Sequence, residues 1–165
     1  MPTTAHRRPL RFQTLSDLSK DIHALLDAGG GQLSTVGQIT PTQNLWHVAY
    51  LIECSVKGFP APFRFPLPYR LIGRLLRQRT LSRPFPEGIK KLPGGPDLDA
   101  ITFPAPETTL AEAIEYLDTN IAAAAVPGAM KHPSPLFGRL NHEQWTQLHC
   151  RHADLHFSFL QAGSN

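Results

Sequence analysis

The sequence predicts an all-α fold, a four-helix bundle whose second and third helices are joined by a long, proline-rich, basic crossover. Three observations carry this expectation. Apolar residues recur at helical spacing in four substantial segments. Ten of the sixteen prolines fall between Pro60 and Pro106, where they block helix interiors and central strands. No segment alternates convincingly at the period of a strand, although short strand pairing within residues 80–106 stays open. At 165 residues and 41% hydrophobic the chain can fill one core without metals or disulfides as staples. The expected organisation is one domain over residues 1–165, with the crossover at about 60–107.

The first helix is expected over about Leu15–Asp27, where Leu15, Leu18, Ile22, Leu25 and Leu26 share a face and Gly29-Gly30-Gly31 ends it. The second starts at Thr40-Pro41-Thr42-Gln43, with Thr40 as N-cap, Pro41 as first helical residue and Gln43 closing a capping box. It runs through Leu45, Val48, Leu51, Ile52 and Val56 to a stop at Gly58 and Pro60. A shorter helix at about Pro68–Arg79 carries Leu71, Ile72, Leu75 and Leu76 as an apolar stripe with arginines on the other face, placed to cover the bundle or a site mouth. Thr109-Leu110-Ala111-Glu112 opens the next with a capping box, and Leu110, Ile114, Leu117 and Ile121 form its buried stripe. The last starts at Asn141, with Gln144 in the capping-box position, and is expected to reach about Gln161. Its inward stripe reads Trp145, Leu148, His152, Leu155 and Phe159.

Composition excludes several classes. Apolar runs fall short of the roughly 18–20 residues a membrane span needs. Arg7-Arg8 has no apolar stretch behind it, so neither a secretory nor a twin-arginine signal is expected, and the predicted compartment is the cytoplasm. Cys54 and Cys150 are expected as reduced thiols, and no C-x-x-C pair exists for a thiolate zinc site. Residues 64–91 hold eight basic residues against Glu87 alone, a local balance of +7 in a chain of net charge +3. Such a patch attracts anions, but no nucleic-acid motif accompanies it, so a solvated face is the favoured reading.

The histidines point to chemistry. His152 and His156 are four apart and lie on one helix face, so both imidazoles reach a single ion. His149 lies seven residues from His156, roughly 10 Å along the axis, so the local pairs are 152/156 or 149/152. A catalytic metal wants three protein ligands and an open position. The third must come from another helix. His47 is the best candidate, amid apolar neighbours on the second helix, and His23 is the runner-up. His6, His132 and His142 read as loop or terminal residues. Glu53 and Asp154 are candidates to accept a ligand N–H. No H-E-x-x-H, phosphate loop, nucleophile elbow or dinucleotide fingerprint is present.

Three blocks carry a family resemblance: Arg7-Arg8-Pro9-Leu10-Arg11-Phe12; Asn44-Leu45-Trp46-His47-Val48-Ala49 continuing through Ile52-Glu53-Cys54-Ser55 to Gly58-Phe59-Pro60; and His132-Pro133, Phe137-Gly138-Arg139-Leu140, Glu143, Trp145, Arg151-His152, Asp154 and His156. In these the chain resembles the DinB-like (YfiT-like) metalloenzyme superfamily and an uncharacterised bacterial family within it. The basic crossover matches poorly. The resemblance implies a four-helix bundle holding a divalent ion, often zinc or nickel, on His47, His152 and His156. Leu155 replaces the first histidine of a pair that relatives carry there. Several superfamily members are thiol transferases or thiol-dependent isomerases, so the resemblance implies a small-molecule substrate or a low-molecular-weight thiol as partner.

Three functions are thereby in view. The first is a metal-dependent transferase or hydrolase acting on a small electrophile, with His149 as candidate general base and Arg70, Arg74 and Arg77 guiding an anionic substrate. The second is a non-catalytic metal- or ligand-binding bundle, as a monomer or homodimer. The third is an anion or nucleic-acid binder using the crossover.

Overall fold

A computed structural model describes residues 6–85 and 95–163. Among these the fold is mostly helical, with six helices and one small sheet. The helices are α1 (Leu15–Ala28), α2 (Pro41–Lys57), α3 (Leu67–Ser82), α4 (Leu98–Thr102), α5 (Leu110–Ala125) and α6 (His142–Phe157). Strands β1 (Leu33–Thr35) and β2 (Leu160–Ala162) pair antiparallel, with Leu33 opposite Ala162. No helix is long and apolar enough to cross a membrane, among the described residues.

The helix starts follow from local chemistry. Thr40, Thr109 and Asn141 each accept from the backbone N–H three residues on, and Gln43, Glu112 and Gln144 each accept from the cap N–H in return. Thr14 and Asp17 form a fourth such box, which opens α1. At the end of α1, a Cβ on Gly29 would fall 2.3 Å from the Gln32 carbonyl and 2.5 Å from the Gly163 nitrogen. Only glycine fits where the helix end meets the end of β2.

α2 packs against α5 and α6, and α1 packs against the same two helices. Between them Leu18, Ile22, Leu45, Ile52, Leu117 and Phe157 are fully buried. Each such side chain contributes roughly 1.5–3 kcal/mol by leaving water. Cys54 and Cys150 are free and buried, and desolvation pushes both thiols up to about 12.

Three expectations are corrected. The last helix stops at Phe157 rather than near Gln161. Apolar spacing continues past that point, but the N-terminal segment captures the carbonyls that a further turn would use. Arg8 donates to the Phe157 carbonyl at 2.9 Å and the Leu160 carbonyl at 2.7 Å, and its backbone N–H donates to the Ser158 carbonyl. The chain then turns into β2. Strand pairing therefore occurs at 33–35 with 160–162. Within 80–106 the described residues hold the end of α3 and α4, with Asp97 as the N-cap of α4, while 86–94 lie outside them. Glu87, Lys90 and Lys91 of the basic segment lie outside the described residues.

The third correction concerns α3. Its apolar stripe does not cover the body of the protein: Leu71 is 55% and Leu75 84% exposed. The opposite side faces inward instead. Gly73 is buried, and a Cβ there would lie 2.7 Å from the Leu136 carbonyl. The missing side chain lets the helix backbone rest on the loop before α6. Arg77 fixes the same side by donating to the Arg139 carbonyl at 3.0 Å.

The N-terminal clamp is testable. Arg8 grips Asp21 through two bonds of 2.7 Å while it holds the carbonyls of Phe157, at the end of α6, and Leu160, at the start of β2. Arg8→Ala is expected to cost roughly 2–4 kcal/mol in urea unfolding. Arg8→Lys restores little of this, because an ammonium cannot reproduce the fork. An unchanged midpoint in Arg8→Ala would show that the clamp does not stabilise the chain.

Candidate metal centre

α2 contributes His47 and α6 contributes His152 and His156 to one cluster. The three rings form a near-equilateral triangle, with centroids 4.9 Å apart for 47–152, 4.5 Å for 47–156 and 4.6 Å for 152–156. One nitrogen from each lies within 4.8 Å of the others, so the group could hold a metal ion. The i, i+4 spacing on α6 places two of the rings one above the other, and the packing of α2 on α6 supplies the third.

Hydrogen bonds decide which nitrogens face the centre. The Thr102 hydroxyl donates to the Leu98 carbonyl at 2.7 Å, so it accepts from His47 Nδ1 at 2.5 Å. His47 therefore carries its proton on Nδ1 and turns the Nε2 lone pair inward. Asn44 works similarly. Its Nδ2 group donates to the carbonyls of Ile39 and Thr40, each at 3.1 Å, which leaves Oδ1 to accept from His156 Nδ1 at 3.2 Å. His156 Nε2 is thereby the free nitrogen.

His152 is different. Its Nε2 lies 3.1 Å from His47 Nε2, while its buried Nδ1 has no hydrogen-bond partner among the described residues. With His47 Nε2 a lone pair, His152 Nε2–H is the donor across that contact. The same separation suits two ligands of one ion. Two nitrogens about 2.0–2.1 Å from a metal lie roughly 2.9 Å apart at a right angle and roughly 3.4 Å apart in a tetrahedron. For His152 Nε2 to hold an ion, its proton would have to move to Nδ1.

Burial keeps the cluster neutral. Desolvation holds His47 and His152 well below the ordinary histidine range, with His156 adding repulsion to each. His156 is held down to about 4, first by burial and then by the Arg7 cation. Arg7 itself donates to Ser158 Oγ at 2.7 and 2.9 Å and lies over the Phe159 ring. Phe103 edges onto His47, and Phe85 lies 6.3 Å from His152.

The remaining sequence candidates have other partners. His149, the expected general base, lies on the same α2–α6 interface. It stacks on Trp145 at 5.1 Å, and its Nε2 donates to Ser55 Oγ, whose own proton goes to the Ile52 carbonyl. Burial holds it down to about 3. His23 is exposed and pairs with Asp118. Glu53 accepts from Lys57 and Tyr116, and Asp154 accepts from the Phe12 N–H and pairs with Arg151, so neither carboxylate holds a cluster imidazole. Asn44 and Thr102 do that work. Asn44 stands one turn before His47, a spacing that could have singled it out; Thr102 arrives from a segment with no sequence signal pointing to α2. Arg70 and Arg74 line a separate cavity to which none of the three clustered histidines contributes.

Neutral buried histidines make stability depend on pH. The unfolded chain takes up protons near pH 6.5, whereas the folded chain resists until lower pH. Stability is thus complete above about pH 6.5 and is lost as pH falls below it, by up to about 1.4 kcal/mol per pH unit for each such histidine. Urea midpoints of metal-stripped protein are expected to fall steadily from pH 7 to pH 5, less steeply in His149→Gln. A midpoint constant over that range would contradict the burial of neutral rings.

Searches of curated proteins and of solved structures return no match for this chain. The model of one family, described as "Protein of unknown function (DUF1569)", matches residues 4–162. That match takes in α1 through α6, both strands and all three clustered histidines, and the chain belongs to the DUF1569 family.

Proposed function

We propose that this protein is a metal-dependent enzyme of the DinB-like kind, with α1, α2, α5 and α6 as the helices of a four-helix bundle and zinc or nickel held by His47, His152 and His156. One observation carries the reading: one buried and two partly buried imidazoles converge, and the outward nitrogens of His47 and His156 are already tied to Thr102 and Asn44. Such outer partners fix ring orientation and tautomer in metal sites. The resemblance of the blocks around His47 and His152 supports the same trio.

A bound divalent ion would supply Lewis acidity and lower the pKa of a water or a low-molecular-weight thiol in its open position. The residues of this chain do the rest. His47 and His156 present unprotonated Nε2 atoms at neutral pH, so ligation need not compete with protons there. Phe103 meets His47 edge to face and Phe85 lies beside His152, so apolar rings flank the trio. The substrate class that fits is a small electrophile attacked by the activated thiol or water, which makes the reaction a transfer or a hydrolysis.

Metal analysis after dialysis against zinc or nickel tests the site. About one ion per chain is expected, with most of it lost in His47→Ala and in His152→Ala. Thr102→Val is expected to bind about 10–100-fold more weakly while remaining folded. If neither alanine variant binds less metal than the parent, the site is wrong. Turnover of a small electrophile with a panel of thiols tests the enzyme; a loaded protein inactive with every thiol and with water would leave a metal-binding bundle instead.

A further inference from the structure

A cavity lies beside α3, between that helix and the loop before α6. Its volume is about 430 Å³, within the ordinary range for a small-molecule pocket. Three guanidinium groups, Arg64, Arg70 and Arg74, line it, and none makes a hydrogen bond or ion pair among the described residues. Three rings, Phe59, Phe63 and Phe65, form its apolar part. No acidic residue lines it. The loop at 133–138 closes the far side, where Gly138 has a φ of 74° and a Cβ would meet Arg74 Nε at 3.0 Å. That glycine leaves room for the arginine to lie across the loop.

We propose that this cavity binds an organic anion with an apolar body, such as a medium-chain or aryl carboxylate. Unpaired guanidiniums in one pocket are matched by a carboxylate, which accepts two parallel N–H bonds from a single arginine. An inorganic anion would leave the phenylalanine wall unused, and a neutral hydrocarbon would leave the charges unanswered. The wall is itself ordered: Phe59 and Phe63 meet edge to face at 5.3 Å, and Phe59 stacks on Trp145 at 6.2 Å. Trp145 is fully buried behind it. The inference does not depend on the metal reading, since none of the histidines of that cluster lines the cavity.

Octanoate is the probe, with inorganic phosphate and octanol as comparisons, titrated by calorimetry into the full chain. Trp46→Phe leaves Trp145 as the sole tryptophan and makes its emission a local reporter of Phe59. Saturable octanoate binding with a shift in Trp145 emission is expected. Arg70→Ala and Arg74→Ala are each expected to weaken it roughly tenfold or more. Arg79→Ala, on the same helix but outside the cavity, is expected to leave it unchanged. Four results would overturn the proposal: no binding; phosphate or octanol binding as tightly as octanoate; equal loss in Arg79→Ala, which would mean a diffuse basic field; or attachment to phosphatidylglycerol vesicles without binding of free octanoate, which would make the surface a bilayer contact.

Discussion

Four imidazoles gather where α2 meets α6, His47 and His149 buried and His152 and His156 partly so, and an imidazole taken out of water favours the neutral form and must place its N–H on an acceptor. Much of the local architecture answers that requirement. Asn44 is oriented by two carbonyls at the start of α2 so that its oxygen faces His156. Ser55, three turns later, turns its proton to Ile52 and accepts from His149. Thr102 makes the same use of a hydroxyl, with Leu98 as its acceptor and His47 as its donor. In each case a side chain first spends its own hydrogens on backbone carbonyls. Only then does it present an oxygen lone pair to a ring.

This pattern also defines the exception. His152 has no outer acceptor among the described residues, and it meets His47 nitrogen to nitrogen. The hydrogen bond between them satisfies one proton without an ion. Replacing that proton by a metal would shift it to Nδ1 and leave an N–H in an apolar setting. Thr102 and Asn44 thus turn an unprotonated nitrogen of His47 and of His156 toward the centre of the cluster, and a proton holds the third corner.

Much of this was legible in the sequence where the signal was local. Capping boxes at Thr40, Thr109 and Asn141 place three helix starts, because the bonds they predict span only three residues. His152 and His156 share a face by helical geometry alone, and His47 followed from its apolar neighbours on α2. Tertiary contacts hid the rest. Nothing in Leu98–Thr102 announces that this short helix will lie on α2 and deliver a hydroxyl to His47. The stripe of α3 reads as a buried face, yet Gly73 and Arg77 anchor the opposite side, and the leucines point outward. Apolar spacing through Phe159 reads as continuing helix, but arginines from the other end of the chain claim the carbonyls there.

Those arginines connect the two ends of the chain to the candidate site. Arg7 and Arg8 hold the end of α6 and the residues just beyond it, one to four positions past His156. Phe12 continues the seam, its N–H on Asp154 and its carbonyl accepting from Arg151, on either side of His152. The N-terminal segment therefore grips α6 at the turns that carry two of the three clustered histidines. An ammonium or a free helix end would let that last turn fray, since terminal carbonyls without partners turn to water. Fraying there would displace His156 from Asn44 and open the triangle. The block Arg7-Arg8-Pro9-Leu10-Arg11-Phe12 carries none of the clustered imidazoles, yet by fixing the helix that bears two of them it acts as part of the site's frame.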